Sequence, residues 1–307
     1  MSLGRTLVIA SLALGGCRVP DEIFALAGDG GTDAPLVDAL GCDVLKPFGT
    51  PAPIAELTHG GFNQESPRLT HDERTIYYWS GEINGTDDVL TASRASLGDP
   101  FGPLAQIGID TTTNDELDPS VTGDDLTIYY VTDTSGTREI WSATRGTTTD
   151  TFSNGAPVAN VNTSAQEVTP FITPDNLSLF FAAGPFNMWS LAVATRPTKT
   201  DPFTIDSSSV AALNVAGFQQ RAPVLTLDRL KLYFASDQPP AKSGTVDIWV
   251  ATRNSRSMPF GSPEIVLELG STFIQHPGWI SDDGCRLYLD RDDGTGKLHM
   301  FVATKPP

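Results

Sequence analysis

Positive charge is scarce in this chain. Its 307 residues carry 20 Lys and Arg against 37 Asp and Glu, a formal net charge of −17. Such a surface repels nucleic-acid phosphates and anionic lipid headgroups, so neither is an expected partner. Sulfur and imidazole are scarce too, with 3 Cys, 4 Met and 4 His. No paired-Cys or paired-His spacing, Gly-rich phosphate loop or nucleophile elbow is present, so no metal or cofactor is expected. No apolar run reaches the roughly 20 residues of a membrane-spanning helix. Long helical packing is excluded by breakers: 28 Gly and 23 Pro make up about a sixth of the chain. A disordered acidic protein is excluded in turn by the 39% hydrophobic content. One large domain or two ordinary ones would fit the length.

What is present begins with an address. Met1 to Arg5 form a short n-region with one positive charge, and Thr6 to Leu14 form an uncharged apolar run. That is the layout of an export signal. The run ends Leu14-Gly15-Gly16-Cys17, which resembles a bacterial lipobox and implies lipidation of Cys17 after removal of residues 1–16. An ordinary secretory signal is the alternative. Losing Arg5 leaves the mature chain at −18. Arg18 stands where enteric lipoproteins kept at the inner membrane have Asp, so the expected address is the outer membrane, facing periplasm or cell exterior. Residues 17–45 read as a tether, with Gly28-Asp29-Gly30-Gly31 as its flexible part. The lipid is then the only contact with the membrane.

The remainder repeats. Five segments align: SPRLTHDERTIYYWS (66–80), DPSVTGDDLTIYYVT (118–132), TPFITPDNLSLFFAA (169–183), APVLTLDRLKLYFAS (222–236) and HPGWISDDGCRLYLD (276–290). Pro recurs at 67, 119, 170, 223 and 277, and Asp at 72, 124, 175, 228 and 283. A second block follows each, ending in Ala-Thr/Ser-Arg/Lys: DVLTASR (88–94), EIWSATR (139–145), SLAVATR (190–196), DIWVATR (247–253) and HMFVATK (299–305). Phe101, Phe152, Phe203 and Phe260 each fall seven residues after the preceding Arg.

Each unit reads as four short strands. The Pro segment comes first, and a turn held by the Asp carboxylate follows it. The second strand is apolar on both faces, so both must be covered. The third ends in Arg or Lys, and the Phe segment is the outermost. One such sheet cannot bury both faces, but sheets stacked radially can. The fifth unit stops before its Phe strand, while an unattached one, Lys46-Pro47-Phe48-Gly49, stands near the other end and matches Met258-Pro259-Phe260-Gly261. The expected fold is therefore an all-β, five-bladed propeller over residues 46–307. Its units lie near 62–109, 114–161, 166–215, 219–269 and 273–305, with 46–57 completing the last blade. That closure brings Cys42 beside Cys285, and a disulfide between them is expected. Closing so long a loop would restrict the unfolded chain by roughly 4–5 kcal/mol in the entropy account.

These blocks resemble the TolB-like, WD-like propeller repeats of exported bacterial proteins. The carriers are runs such as Pro223 to Phe234 and the Asp247-Ile248-Trp249 that follows. The resemblance implies a propeller with a binding or scaffolding role at the envelope; it does not imply a reaction, because the matching residues are scaffold ones. The units here are longer than usual, and the Asp-Gly turn is complete only at Asp283-Gly284.

In a repeat protein the positions that break the repeat are the functional candidates. The first strands line a central channel, and propellers bind at its mouth. There the units differ: Glu65 and Arg68, Glu116 and Asp118, Glu167 and Thr169, Gln220 and Arg221, Gln275 and His276, with Trp279 beyond. The expected binding residues are Glu65, Arg68, Glu116, Asp118, Glu167, Arg221, His276 and Trp279, and the ligand a protein or glycan taken by a monomer. The alternative is a glycoside hydrolase using Glu65, Asp118 and Glu167 as acid and base. A solvated acidic rim is the plain reading of the same residues. His59 and His276 both precede first strands and are expected to approach each other, though four scattered His make no metal motif. Trp79, Trp189 and Trp279 are candidate sugar platforms, while Trp141 and Trp249 recur in third strands and read as core. Asp290 to Gly294 has the acidity of a calcium loop without its ligand spacing and reads as a turn.

Overall fold

The recurrent sequence blocks become recurrent strands in the computed structural model, which describes residues 41–307 apart from 84, 112, 241–244 and 293. The signal segment, Cys17 and most of the tether lie outside the described residues. The chain enters as a short strand, β1 (Ala52–Pro53). Blade I follows as β2 (Glu65–Leu69), β3 (Thr75–Ser80), β4 (Asp88–Ser93) and β5 (Ala105–Gln106). Blade II comprises β6 (Glu116–Val121), β7 (Thr127–Thr132), β8 (Glu139–Thr144) and β9 (Ser153–Pro157). Blade III comprises β10 (Gln166–Ile172), β11 (Ser178–Gly184), β12 (Ser190–Thr195) and β13 (Thr204–Ile205). Blade IV comprises β14 (Gln220–Leu225), β15 (Lys231–Ser236), β16 (Asp247–Thr252) and β17 (Glu264–Ile265). Blade V comprises β18 (Gln275–Ile280), β19 (Arg286–Asp292) and β20 (Leu298–Thr304), and β1 is its outer strand.

All strand pairs are antiparallel, and Ala52 faces Val302 across the closure. The protein is thus a five-bladed β-propeller with a swapped outer strand. Among the described residues no helix is long and apolar enough to cross a membrane. The compact unit begins at Cys42, four residues before the expected boundary at Lys46. Cys42 is joined to Cys285 by a disulfide, with the Cα atoms 5.9 Å apart. The Asp43 amide donates to the Pro306 carbonyl at 3.0 Å, and Lys305 Nζ donates to the Val44 carbonyl at 2.7 Å.

Each repeated residue has a repeated task. In the turn after the first strand, a Thr or Ser hydroxyl and the amide two residues past the Asp both donate to that carboxylate. Asp124 shows it, with Thr122 Oγ1 at 2.6 Å and the Leu126 amide at 3.2 Å. The second strand is buried on both faces: Ile76, Tyr77 and Tyr78 are all but inaccessible. Each such side chain stabilises by roughly 1.5–3 kcal/mol. Tyr77 also reaches across the blade interface, donating to Asp125 Oδ1 at 3.0 Å. The Arg closing each third strand lies over the Phe seven residues on. Arg94, Arg145, Arg196 and Arg253 stand 4.3–4.4 Å from the centroids of Phe101, Phe152, Phe203 and Phe260. Lys305 stands 4.7 Å from Phe48, which completes the set in the closing blade.

The inner strands hold one correction. Every one of them carries a bulge, but the Pro of blade V is displaced by a residue. Arg68 faces Tyr77 in blade I, and Trp279 faces Tyr288 in blade V. Register therefore equates Gly278, not Pro277, with Pro67, Pro119, Pro170 and Pro223. The sequence carries the same slip as a spacing of six, not five, between Pro277 and the turn Asp283.

Candidate functional site

The bulges set the backbone of the channel mouth. Ser66, Asp118, Thr169 and Ala222, the residues before Pro, have φ of 50–55°. A left-handed conformation at a non-Gly residue costs about 1–2 kcal/mol and persists only where the surroundings hold it. A belt of hydrogen bonds from blade to blade does so. The Ser66 amide donates to Asp290 Oδ2 at 3.0 Å, and Ser66 Oγ donates to Asp118 Oδ1 at 2.6 Å. The Thr169 amide donates to Asp118 Oδ2 at 3.1 Å, and the Ala222 amide donates to Thr169 Oγ1 at 3.0 Å.

Below this belt the channel is stopped by one side chain. Arg68 is 2% exposed. Its guanidinium donates to the carbonyls of Gly278, Pro170 (3.2 Å) and Pro223 (3.5 Å), one each from blades V, III and IV. It also lies 5.3 Å from the centroid of Phe171. Burial lowers the Arg68 pKa to about 10, while the charges of Asp118 and Asp290 act against that shift.

Above the stopper, charged side chains from four blades meet. His276 Nδ1 and Asp290 Oδ1 are 2.6 Å apart, and His276 Nε2 is buried with no hydrogen-bond partner. Burial holds the His276 pKa down; Arg221 adds to the effect and Asp290 opposes it. Ligand atoms of Glu65, His276 and Asp290 lie within 4.8 Å of one another. Burial raises the Glu65 carboxyl well above the usual carboxylate range, with Asp290 and Asp118 pushing the same way and Arg221 opposing. Arg221 stands 5.3 Å from the Trp189 ring, and its pKa is lowered by burial against the pull of Glu65, Asp290 and Asp118.

Of the residues expected at the mouth, the structure groups Glu65, Asp118, Arg221 and His276. Glu116 and Glu167 are turned to their own loops instead. Glu116 accepts from the Thr111 amide at 2.8 Å, and Glu167 accepts from Thr163 Oγ1 at 2.6 Å. Trp279 lies at the opposite end of the inner strand, stacked at 6.2 Å on Phe171 and edge-on at 5.7 Å to His71. His71 there pairs with Asp282 at 2.7 Å. His59 is paired with Glu82 and His276 with Asp290. Trp249 is buried, as expected of core, but so are Trp189 and Trp279. Trp141 is half-buried, packs against a core cluster that includes Tyr77 and Tyr130, and also lines a cavity.

Asp290 was missed. It lies in β19, so it is strand and not the turn expected there. Its signal was available: register sets it level with Trp79, Val131, Ala182 and Ala235, and it alone of these is charged. A second group with converging ligand atoms, Asp88, Asp110 and Glu116, lies in blades I and II and the segment between them. It offers oxygen alone, the donor set of a hard cation. At the mouth, Arg221 already supplies positive charge to the carboxylates.

No protein-family model and no curated protein matches this sequence. Solved structures do. A glycoside hydrolase matches at 12% identity and a TM-score of 0.58, over 85% of this chain and 91% of that one. A glycosyl hydrolase from Bacteroides ovatus matches at 11% identity and 0.53, over 84% and 93%. TolB from Acinetobacter baumannii matches at 14% identity and 0.48, over 78% of this chain, which spans 55% of that protein. At these identities the likeness is one of fold.

Proposed function

We propose that this chain is a non-catalytic binding propeller of the cell envelope, anchored through Cys17. It takes a protein or glycan at the mouth formed by Glu65, Asp118, Arg221, His276 and Asp290. One observation carries this reading: charged residues that break the fivefold repeat converge at one end of the channel, and Arg68 closes that channel beneath them. The ligand therefore docks on a floor and does not pass through. Exposed apolar side chains lie in the connections at the same end. Phe62 and Phe273 precede inner strands, and Phe186 and Met188 occupy a turn between second and third strands. A charged centre within an apolar rim suits a macromolecular ligand.

The hydrogen bonds favour binding over catalysis. Asp118 and Asp290 each use both carboxylate oxygens within the belt or on His276. Glu167, the third member of the hydrolase set, accepts from Thr163 and not from the mouth. A single feature supports the hydrolase reading. Glu65 is pushed towards its protonated form beside Asp118 and Asp290, and a separation of that kind divides acid from base.

Crosslinking in intact envelope, followed by a glycan turnover screen, tests both. The binding reading expects a specific ligand whose capture is lost in Arg221→Ala, with no turnover. Turnover abolished by Glu65→Gln establishes the hydrolase instead.

A further inference from the structure

A second site lies on the rim of blade II, apart from the channel mouth. The outer strand β9 leaves register with β8: Ser142 faces Ala156, but Thr144 faces Ser153. One extra residue bulges at Asn154, with φ 58°, and Gly155. A side chain lies underneath, and glycine makes room for it. A Cβ on Gly155 would stand 2.5 Å from the Tyr130 hydroxyl. The result is a cavity of about 260 Å³, lined by Glu116, Tyr130, Trp141, Thr132, Asn114 and Gly155 among others. That is below the roughly 300–1,000 Å³ of pockets for drug-sized ligands and suits one side-chain-sized group.

The combination of Tyr with Trp is particular to this blade. Strand register sets Tyr130 and Trp141 level with Tyr78 and Leu90 in blade I, Phe181 and Ala192 in blade III, Phe234 and Trp249 in blade IV, and Leu289 and Phe301 in blade V. Glu116 lines the cavity, its oxygens accepting from the Thr111 amide at 2.8 Å and from the Thr111 and Thr132 hydroxyls at 3.1 and 3.4 Å, and oxygens of Asp110 and Asp88 lie within 4.8 Å of it and of each other. Asp110 Oδ1 is closed off from solvent and has no hydrogen-bond partner. The neighbouring charges that act on Glu116 are those of Asp110 and Asp88, both negative.

We propose that this cavity binds an organic cation, an alkylammonium or guanidinium end held by Glu116 between Trp141 and Tyr130. A positive group relieves the clustered carboxylates, and aromatic walls attract organic cations. A lone metal ion would leave most of the volume unfilled, and aromatic walls supply it no ligand atoms. The same cationic end is presented by a free diamine and by a Lys or Arg side chain of a partner protein. The inference stands apart from the mouth reading, since none of Glu65, Asp118, Arg221, His276 or Asp290 lines the cavity.

Calorimetric titration at pH 8 tests it, with cadaverine, a capped Lys peptide, the neutral isostere pentanediol and CaCl2 as probes. Saturable binding of cadaverine is expected, with none of pentanediol. Glu116→Gln should weaken it at least tenfold, as should Trp141→Leu, a half-buried position less exposed to folding failure. Glu65→Gln should leave it unchanged. Binding of the Lys peptide as well assigns the site to a partner's side chain; cadaverine alone assigns it to a free diamine. Circular dichroism checks the fold of each variant, and the wild-type comparison of cadaverine with pentanediol stands without them. Equal binding of the two, no saturation by any amine, indifference to both cavity variants, or saturable Ca²⁺ binding that cadaverine fails to displace would each overturn the proposal.

Discussion

Gly278 in the last blade stands against Pro67 in the first: a Cβ on Gly278 would fall 2.5 Å from both the Pro67 ring and its carbonyl oxygen. The two blades that meet at the ring closure leave no room for a side chain at this point. Gly278 also offers its carbonyl to Arg68. Gly278→Ala should therefore push blade V from blade I and disturb the channel stopper together. Overpacking of this kind costs roughly 1–3 kcal/mol. A lowered urea midpoint at unchanged slope is the expected readout; an unaltered midpoint would show that the interface yields without strain.

The Cys42–Cys285 disulfide fastens the entering chain to the same blade. Cys42→Ser combined with Cys285→Ser should lose about 2–5 kcal/mol, the usual range for removing a native bridge. The β1–β20 pairing should loosen first, because its ladder is two residues long, Ala52 and Pro53, flanked by single amide bonds from Gly49 and Ile54 to the Thr304 and Met300 carbonyls. Hydrogen exchange at the β20 amides would report it. Protection equal to that of the bridged protein would mean that the Phe48–Lys305 contact holds the strand without help.

Arg145 links two blades. It stacks on Phe152, pairs with Asp125 and donates to the Tyr77 hydroxyl at 3.0 Å. Arg145→Gln would leave Asp125, whose pKa burial already raises to about 6, without its cation. Breaking such a partly buried pair should cost roughly 1–3 kcal/mol. A smaller loss from Lys199→Gln, at an exposed ion pair, is the control.

Protonation of the blade II carboxyls should stabilise the protein by more than His276, whose pKa burial lowers from 6.5, takes away. Burial raises the Glu116 pKa to about 7 and the Asp110 pKa to about 6, both above their ordinary values of 4.5 and 3.8. A carboxyl with a raised folded pKa binds its proton more tightly when folded, so it destabilises the fold while ionised. Stability should rise as pH falls through 7 and then 6, and the gain should be complete below the ordinary values. Melting temperature should climb between pH 8 and pH 5, and Glu116→Gln should flatten the upper part of that climb. A melting curve that falls over this range, or the same climb in the variant, would contradict the assignment.

The fold was legible because each repeated residue has one local task. Asp holds a turn, Tyr spans a blade interface and Arg covers Phe, so the sequence period and the blade period are the same thing. The closing strand was legible for the same reason, since Phe48 keeps the spacing that Phe260 shows. The slip at Pro277 was legible in spacing too, since Pro precedes the turn Asp by five residues in four units and by six in the fifth. At the mouth, Glu65, Asp118, Arg221 and His276 were readable as breaks in the repeat. Glu116 and Glu167 do not break it: register sets them level with Gln64, Gln220 and Gln275, a recurrent buried Gln/Glu position, and both accept from Thr in their own loops. The blade II cavity was hidden because it needs a bulge in β9 and a Tyr beneath it, two features that only the folded chain brings together.

The central claim is that the channel mouth binds the ligand. Photocrosslinkers set beside it, at Phe62 and Phe186, can be compared with others at Leu227 and Met258, exposed positions in turns outside that end. Yields would be read in intact envelope from wild type and Arg221→Ala. The account predicts one specific adduct from Phe62 and Phe186, at least tenfold reduced in Arg221→Ala, and none from Leu227 or Met258. The same adduct from all four positions, undiminished in the variant, would contradict it.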